Sequence, residues 1–209
     1  MGGASLDMAT LAALPIDAAT FLILFCRVGA VIMLLPAFSE DSIPPQIRLV
    51  MALGFTLGLY GMLQGPVAQA VKSDVSLPLL VIGEMLVGIA MGMIVKILFS
   101  AAAIAGSIAS QQVGLASALV ADPSMGGQAP LLSRLFGIAA VIVCMSLGIH
   151  HLWIASIFQS YSVFPVGGLP PAAQFADLAV KVTGQSLALG VSLSAPLILY
   201  GALFNVGLG

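Results

Sequence analysis

Three charged side chains lie inside long apolar runs of this sequence: Arg27, Glu84 and Lys96. A charge at the centre of a membrane helix costs about 2.5–3.5 kcal/mol on insertion scales, so such residues usually face protein or water. The chemistry open to them is ion pairing, either along a conduction path or gate, or between subunits where it fixes assembly. The residues alone leave both roles open. We expect Glu84 to be matched to a cation in an assembly, because a lone carboxylate is not stable as a charge in an apolar setting.

The spacing of small residues around these charges favours close helix packing. Glu84, Gly88, Gly92 and Lys96 are four residues apart and form one slanted stripe on a helix, with the two charges about 18 Å apart along its axis. Lys96 could therefore pair with Glu84 only across a boundary between subunits. Small residues at this spacing let a neighbouring backbone approach closely, which is typical of an assembly of several helices. A similar stripe occupies the second apolar segment: Gly54, Gly58 and Gly61.

The sequence offers no catalytic, metal or nucleotide motif. His150 and His151 are adjacent, so their side chains point about 100° apart on a helix, and no HExxH, CxxC or carboxylate cluster accompanies them. Cys26 and Cys144 both sit in apolar runs and are expected to be small buried side chains rather than a disulfide or metal pair. No GxSxG elbow or phosphate-binding loop is present, so we expect no enzyme, no cofactor and no metal.

Composition explains where such a chain must reside. Of its 209 residues 60% are hydrophobic and only 7% are charged, against about 25% charged residues in soluble domains. So few charges cannot cover a soluble surface, and the expected surroundings are lipid or other apolar protein. The net charge is −2, and the six Lys and Arg residues form no basic patch. Both observations argue against nucleic acid as a partner. Basic residues are spread about one per loop, so the orientation of the termini stays open.

The apolar segments predict an all-α, polytopic integral membrane protein. We expect a single membrane-embedded domain over residues 1–209. Each membrane crossing needs about 20 apolar residues. Pro and Gly clusters mark the loops between segments. The predicted helices cover residues 18–35, 47–63, 77–99, 101–120, 131–160 and 185–208.

An ordered set of short motifs along nearly the whole chain resembles the FliR family of flagellar and type III secretion export-gate proteins. No single motif is specific, but their order is. The motifs are Arg27–Val28–Gly29, Pro36–Ala37–Phe38, Ile43–Pro44 before Arg48, Gly83–Glu84 with Gly88 and Gly92, Ala105–Gly106 leading to Gln112 and Gly114, Asp122–Pro123, Gly148 with His150–His151, Ser160 before Phe164–Pro165, and Asn205–Val206–Gly207–Leu208–Gly209. Family members continue past the last motif, so we expect the natural protein to extend beyond Gly209.

The resemblance implies a multi-pass subunit whose helical hairpins pack into a hetero-oligomeric helical assembly. This assembly is a protein-conducting gate in the bacterial inner membrane, at a flagellar basal body or injectisome base. The implied partners are FliP-like and FliQ-like gate subunits, an FlhB-like export protein, exported unfolded proteins and membrane lipid. Two other classes stay open from the residues: a small-solute permease or transporter subunit, for which we find no internal repeat, and a passive membrane scaffold.

The resemblance also implies a plug for the closed pore, placed by position at residues 111–128. This stretch consists of small and polar residues and ends in a helix-breaking loop. Its side-chain amide and hydroxyl groups could not face lipid without hydrogen-bond partners. A loop simply exposed above the membrane would meet the same condition. The expected plug residues are Gln111, Gln112, Gly114, Ser117, Asp122 and Pro123.

Overall fold

A computed structural model describes residues 16–39, 43–72, 76–112, 131–168 and 171–208. Every regular element in these ranges is an α-helix, and the chain is an all-α polytopic membrane protein. The helices are α1 (Ile16–Leu34), α2 (Pro45–Val71), α3 (Leu77–Gln112), α4 (Leu131–Ser146), α5 (Ile149–Val163) and α6 (Ala172–Leu208).

Two predicted helix boundaries fail because sequence features that break helices in water do not break them here. Helix α2 was predicted to stop at residue 63, but it continues through Pro66 to Val71. Proline removes one backbone hydrogen bond, a loss that apolar membrane helices tolerate. The predicted helices 77–99 and 101–120 are continuous across residue 100 in one helix, Leu77–Gln112, and residues 113–120 lie outside the described residues. The change to Ala, Ser and Gly after Phe99 alters what the helix packs against but introduces no breaker, because alanine is the best helix former.

The last two predicted helices also differ from the structure. The segment 131–160 is interrupted at Gly148, whose φ of 71° is a left-handed conformation that glycine adopts without strain. Two shorter helices, α4 and α5, result. Helix α6 starts at Ala172 instead of residue 185, because the stretch with Asp177 and Lys181 is polar but contains no helix breaker.

Four helices in the described ranges are long and apolar enough to cross a membrane, namely α1, α2, α3 and α6. The count becomes five if the bent pair α4 and α5 forms one span. Most of α6 is exposed, as are large apolar side chains on every helix.

The chain divides into two compact units, each described here by itself. Unit 1 comprises the described residues up to Met93 together with His151–Phe175. Its α1 and α2 form an antiparallel hairpin, since Phe38 packs on Phe55 at one end and Phe21 on Tyr60 further along. The turn after α1 places Ala37 in the left-handed region, with φ 75°. A buried cluster joins α1, α2, α3 and α5: Ile23, Leu24, Leu63, Val67, Leu80 and Tyr161.

Unit 2 comprises the described residues of Ile94–His150 and Ala176–Gly209. Here hydroxyl groups and glycines hold the helices together. The Ser133 hydroxyl at the start of α4 donates to the Ala103 carbonyl of α3 (2.8 Å), and Ser100 of α3 bonds Ser186 of α6 (3.0 Å). Helix α6 is buried along one stripe with a spacing of four residues: Val182, Ser186, Gly190 and Ser194. That the two units form one membrane-embedded domain stays a prediction.

Candidate functional site

A buried ion pair lies at the centre of unit 1. Arg27 of α1 donates from Nε to Glu84 Oε2 (2.7 Å) and from Nη2 to Glu84 Oε1 (2.8 Å). The two side chains are 0% and 1% exposed. This is the parallel, two-bond geometry in which the guanidinium fork matches a carboxylate, and it is stronger and more directional than a single contact.

The remaining donors and the face of the Arg27 guanidinium contact the end of α5. Nη2 also donates to the Phe164 carbonyl (2.9 Å), and Nη1 donates to the Ser160 hydroxyl (3.2 Å). The guanidinium carbon lies 4.0 Å from the centre of the Tyr161 ring, within range of a cation–π interaction. One side chain of α1 therefore holds α3 through a carboxylate and α5 through a hydroxyl, a ring and a backbone carbonyl. We call these groups the Arg27 cluster.

Two glycines allow Glu84 to reach Arg27. A β-carbon at Gly88 would come within 2.6 Å of the Arg27 carbonyl oxygen, and one at Gly92 within 2.7 Å of the Leu34 β-carbon. Real side-chain carbons do not approach so closely, so any larger residue would force α1 and α3 apart. The contacts advance in the same direction on both helices, which makes α1 and α3 parallel. The stripe Glu84, Gly88, Gly92 is thus a helix contact within the chain.

The Arg27 cluster can hold charge in place, but its described atoms include no activated nucleophile or open metal position. The guanidinium carries donors only and no acceptor, so Arg27 acts in this cluster through its hydrogen bonds and its charge. Arg27 and Glu84 satisfy each other inside one chain. Their participation in contacts between subunits stays a prediction.

The predicted residues Lys96, Gln111 and Gln112 belong to unit 2, whereas the Arg27 cluster belongs to unit 1. Lys96 of α3 is exposed, as are Gln111 and Gln112 at the end of that helix. In unit 2, a side chain at Gly201 of α6 would collide with the Gln112 amide, so this glycine makes room for the end of α3. The predicted plug residues Gly114, Ser117, Asp122 and Pro123 lie outside the described residues.

The histidines and cysteines do not combine into a ligand set. Within the described ranges, no group of three or more His, Cys, Asp or Glu residues could hold a metal. Cys26 is half-buried and Cys144 is buried, and both are free thiols. His150 and His151 lie at the start of α5, directly after the break at Gly148.

Three members of the Arg27 cluster were not predicted as site residues: Ser160, Tyr161 and Phe164. Ser160 and Phe164 are four residues apart. The Ser160 hydroxyl and the Phe164 carbonyl therefore lie on one side of the last turn of α5, where backbone carbonyls have no partner within the helix. The signal that could have found them is the motif of Ser160 before Phe164–Pro165, which marks a helix end in a chain with an arginine inside an apolar run.

Comparisons with known proteins cover most of the chain. The family described as "Bacterial export proteins, family 1" matches residues 18–209. The flagellar biosynthetic protein FliR of Caulobacter vibrioides is 34% identical over 90% of this chain and 74% of its own length. FliR of Bacillus subtilis is 28% identical, over 90% and 73%. The Yop proteins translocation protein T of Yersinia pestis is 27% identical, also over 90% and 73%.

Proposed function

Because the chain belongs to the bacterial export proteins of family 1, we propose that it forms part of the protein-conducting channel of an export gate in the bacterial inner membrane. The resemblance to FliR drawn from its ordered motifs is confirmed, and the chain is a component of a flagellar or type III export apparatus. Its partners in this proposal are FliP-like and FliQ-like gate subunits and an FlhB-like export protein. Its cargo is unfolded protein.

The observation that carries this proposal is the amount of apolar surface left uncovered on helices that are themselves firmly packed. Within the described ranges, exposed large side chains recur on α2, α3 and α6, for example Val50, Met93 and Val206. Lipid can cover part of this surface. The glycines Gly54 and Gly58 on α2 have open space where a β-carbon would lie, which suits a neighbouring helix better than lipid chains.

We further infer that residues 111–128 seal the closed channel. The two helices that flank this stretch pack on each other, because Gly106 of α3 lies against the backbone of Leu132 and Ser133 in α4. A segment that leaves and returns to the same packed helix pair can change position without separating those helices. Gln112 keeps the end of α3 against α6 at Gly201, so the proposed movement starts after residue 112.

The assembly is tested by purification from membranes. The tagged chain expressed with FliP-like and FliQ-like subunits should give one complex of fixed composition. Expressed alone in detergent, it should aggregate or be degraded, because its uncovered apolar helix faces lack partners. A monodisperse chain alone, with no export subunit bound after co-expression, would contradict the proposal.

The plug is tested by deletion. Removing residues 114–120 should leave the complex assembled and raise its leakage of small ions, measured as conductance in planar bilayers. The matched control is Lys181→Met, which removes an exposed polar side chain of α6 outside residues 111–128 and should leave the conductance unchanged. Unchanged conductance in an intact complex would show that this stretch is a structural connector.

A further inference from the structure

Tyr161 carries a buried hydroxyl group that has no hydrogen-bond partner among the described residues. The residue is 9% exposed, and its side chain lies in the apolar cluster that joins α1, α2, α3 and α5. A buried hydroxyl without a partner costs free energy, because water would have bonded it in the unfolded chain. The ring face that contacts the Arg27 guanidinium does not need this hydroxyl, since phenylalanine offers a similar face to a cation. The contact with Arg27 therefore does not explain why the residue is a tyrosine.

The contacts of Arg27 divide into a strong set on α3 and a weaker set on α5. On α3, the two parallel bonds to Glu84 join two ions and are 2.7 and 2.8 Å long. Close packing of α1 against two glycines of α3 adds to this side. On α5, Arg27 bonds neutral groups, the Phe164 carbonyl at 2.9 Å and the Ser160 hydroxyl at 3.2 Å. Because parallel bonds between two ions are the stronger kind, the contact of α1 with α3 is the more stable of the two.

The last turn of α5 lies at a helix end, where unwinding breaks the fewest backbone bonds. One of those bonds runs from the Phe164 amide to the Ser160 carbonyl (2.8 Å). Unwinding gives the Tyr161 hydroxyl access to water, which removes the cost of its unsatisfied state. Exposure of the tyrosine ring and loss of the bonds to Arg27 oppose this gain. The hydroxyl thus lowers the free energy needed to open the turn, whereas the ring and Arg27 raise it.

We propose that residues 160–164, the α5 latch, open reversibly from the joined helices α1 and α3, and that the buried Tyr161 hydroxyl sets how readily they open. In the packed state Arg27 holds the latch through its hydroxyl, ring and terminal carbonyl. In the open state the Arg27–Glu84 pair still joins α1 and α3. This inference concerns unit 1 alone and does not rest on the channel proposal. The competing outcome is an α5 end that opens only when the whole unit unfolds.

Opening of the α5 latch is measured by hydrogen–deuterium exchange of backbone amides in the complex purified with its export subunits. The amides of residues 161–164 should exchange faster than those of residues 28–32 in α1, because the latch opens while α1 and α3 stay joined. Gly92→Ala would place a β-carbon 2.7 Å from that of Leu34 and so loosen the contact of α1 with α3. It should speed exchange at residues 28–32 and leave residues 161–164 unchanged. An equal increase in both segments would overturn the proposal.

The role of the hydroxyl is measured with Tyr161→Phe, which keeps a ring face for Arg27 and removes the buried hydroxyl. Exchange at residues 161–164 should slow by about 5- to 30-fold, the equilibrium factor for the usual cost of an unsatisfied buried hydroxyl. The matched control is Tyr200→Phe on α6, which removes a hydroxyl from a residue that is 66% exposed and should leave this exchange unchanged. Unchanged or faster exchange in Tyr161→Phe would show that the hydroxyl does not favour opening, and the proposal would be wrong.

Ser160→Ala should act in the opposite direction, because it removes one of the hydrogen bonds between Arg27 and the α5 latch. Exchange at residues 161–164 should become about tenfold faster, the factor that corresponds to a hydrogen bond from a charged donor. Unchanged or slower exchange would show that Arg27 does not hold the latch, which contradicts the proposal. Co-purification of the export subunits with each variant is scored separately, so failure of the channel proposal is recognised independently.

Discussion

Replacing Arg27 by methionine would leave the Glu84 carboxylate buried without the two charged hydrogen bonds, of 2.7 and 2.8 Å, that it now accepts. Removing one partner of a buried ion pair costs about 3–5 kcal/mol. The reverse change, Glu84→Met, leaves the guanidinium with only the Ser160 hydroxyl, the Phe164 carbonyl and the Tyr161 ring. We expect a loss of similar size from each single variant.

The double variant Arg27→Met/Glu84→Met should be more stable than either single one. It removes both charges and fills their volume with apolar atoms, an exchange that is often close to neutral. The Phe164 carbonyl and the Ser160 hydroxyl still lose their donor, which costs about 1 kcal/mol each. We therefore expect a total loss of about 2 kcal/mol, and an interaction energy between the two sites of at least about 4 kcal/mol.

The assay is resistance of the purified complex to unfolding as the fraction of SDS in mixed micelles rises, for the native protein and the three variants. The control is Lys181→Met, which removes an exposed charge that forms no ion pair within the described residues and should change stability by less than about 0.5 kcal/mol. If the two single losses simply add in the double variant, Arg27 and Glu84 do not depend on each other and the reasoning is refuted.

The remaining predictions concern the same helices. Glu84→Gln keeps a hydrogen-bond acceptor and should weaken assembly or export modestly, whereas Glu84→Lys opposes two cations and should abolish both; normal export by the lysine variant would refute the buried pair. Gly88→Ala should lower the unfolding midpoint, at a cost of about 1–3 kcal/mol, because its β-carbon would overlap α1. Gly184→Ala on α6, where the space is open, is the matched control and should be neutral or slightly stabilising. Ala37→Gly should relieve the left-handed conformation at φ 75°, which raises the free energy of unfolding by about 0.5–1 kcal/mol and therefore raises the thermal midpoint. An unchanged or lower midpoint would show that no strain is stored there.

Helix positions could be predicted where strong breakers flank an apolar run. Helix α1, predicted at residues 18–35 and found at Ile16–Leu34, ends just before Pro36. Prediction failed at Pro66, which α2 passes through, and after Phe99, where a change in residue size was taken for a boundary. In both places the sequence does change, but helix packing and the lack of water competing for the backbone hydrogen bonds decide that the helix continues.

The residues of the Arg27 cluster were only partly predictable. Arg27 and Glu84 stand out because charges in apolar runs are rare. Their pairing could not be predicted, since 57 residues separate them and nothing in that spacing indicates contact. Gly88 and Gly92 were predicted to allow close approach of a helix, and the helix that lies against them in the structure is α1 of the same chain.

The distance in sequence between Arg27 and Glu84 also has a consequence for the order of synthesis. At about 5–20 residues per second, Glu84 leaves the ribosome roughly 3–11 s after Arg27. During that time α1 must stay in the translocon or the membrane with an unmatched guanidinium, at an insertion cost of about 2.5–3.5 kcal/mol. The first helix reaches its final state only when the third helix arrives, and a chain arrested before residue 84 would leave α1 exposed to quality-control proteases.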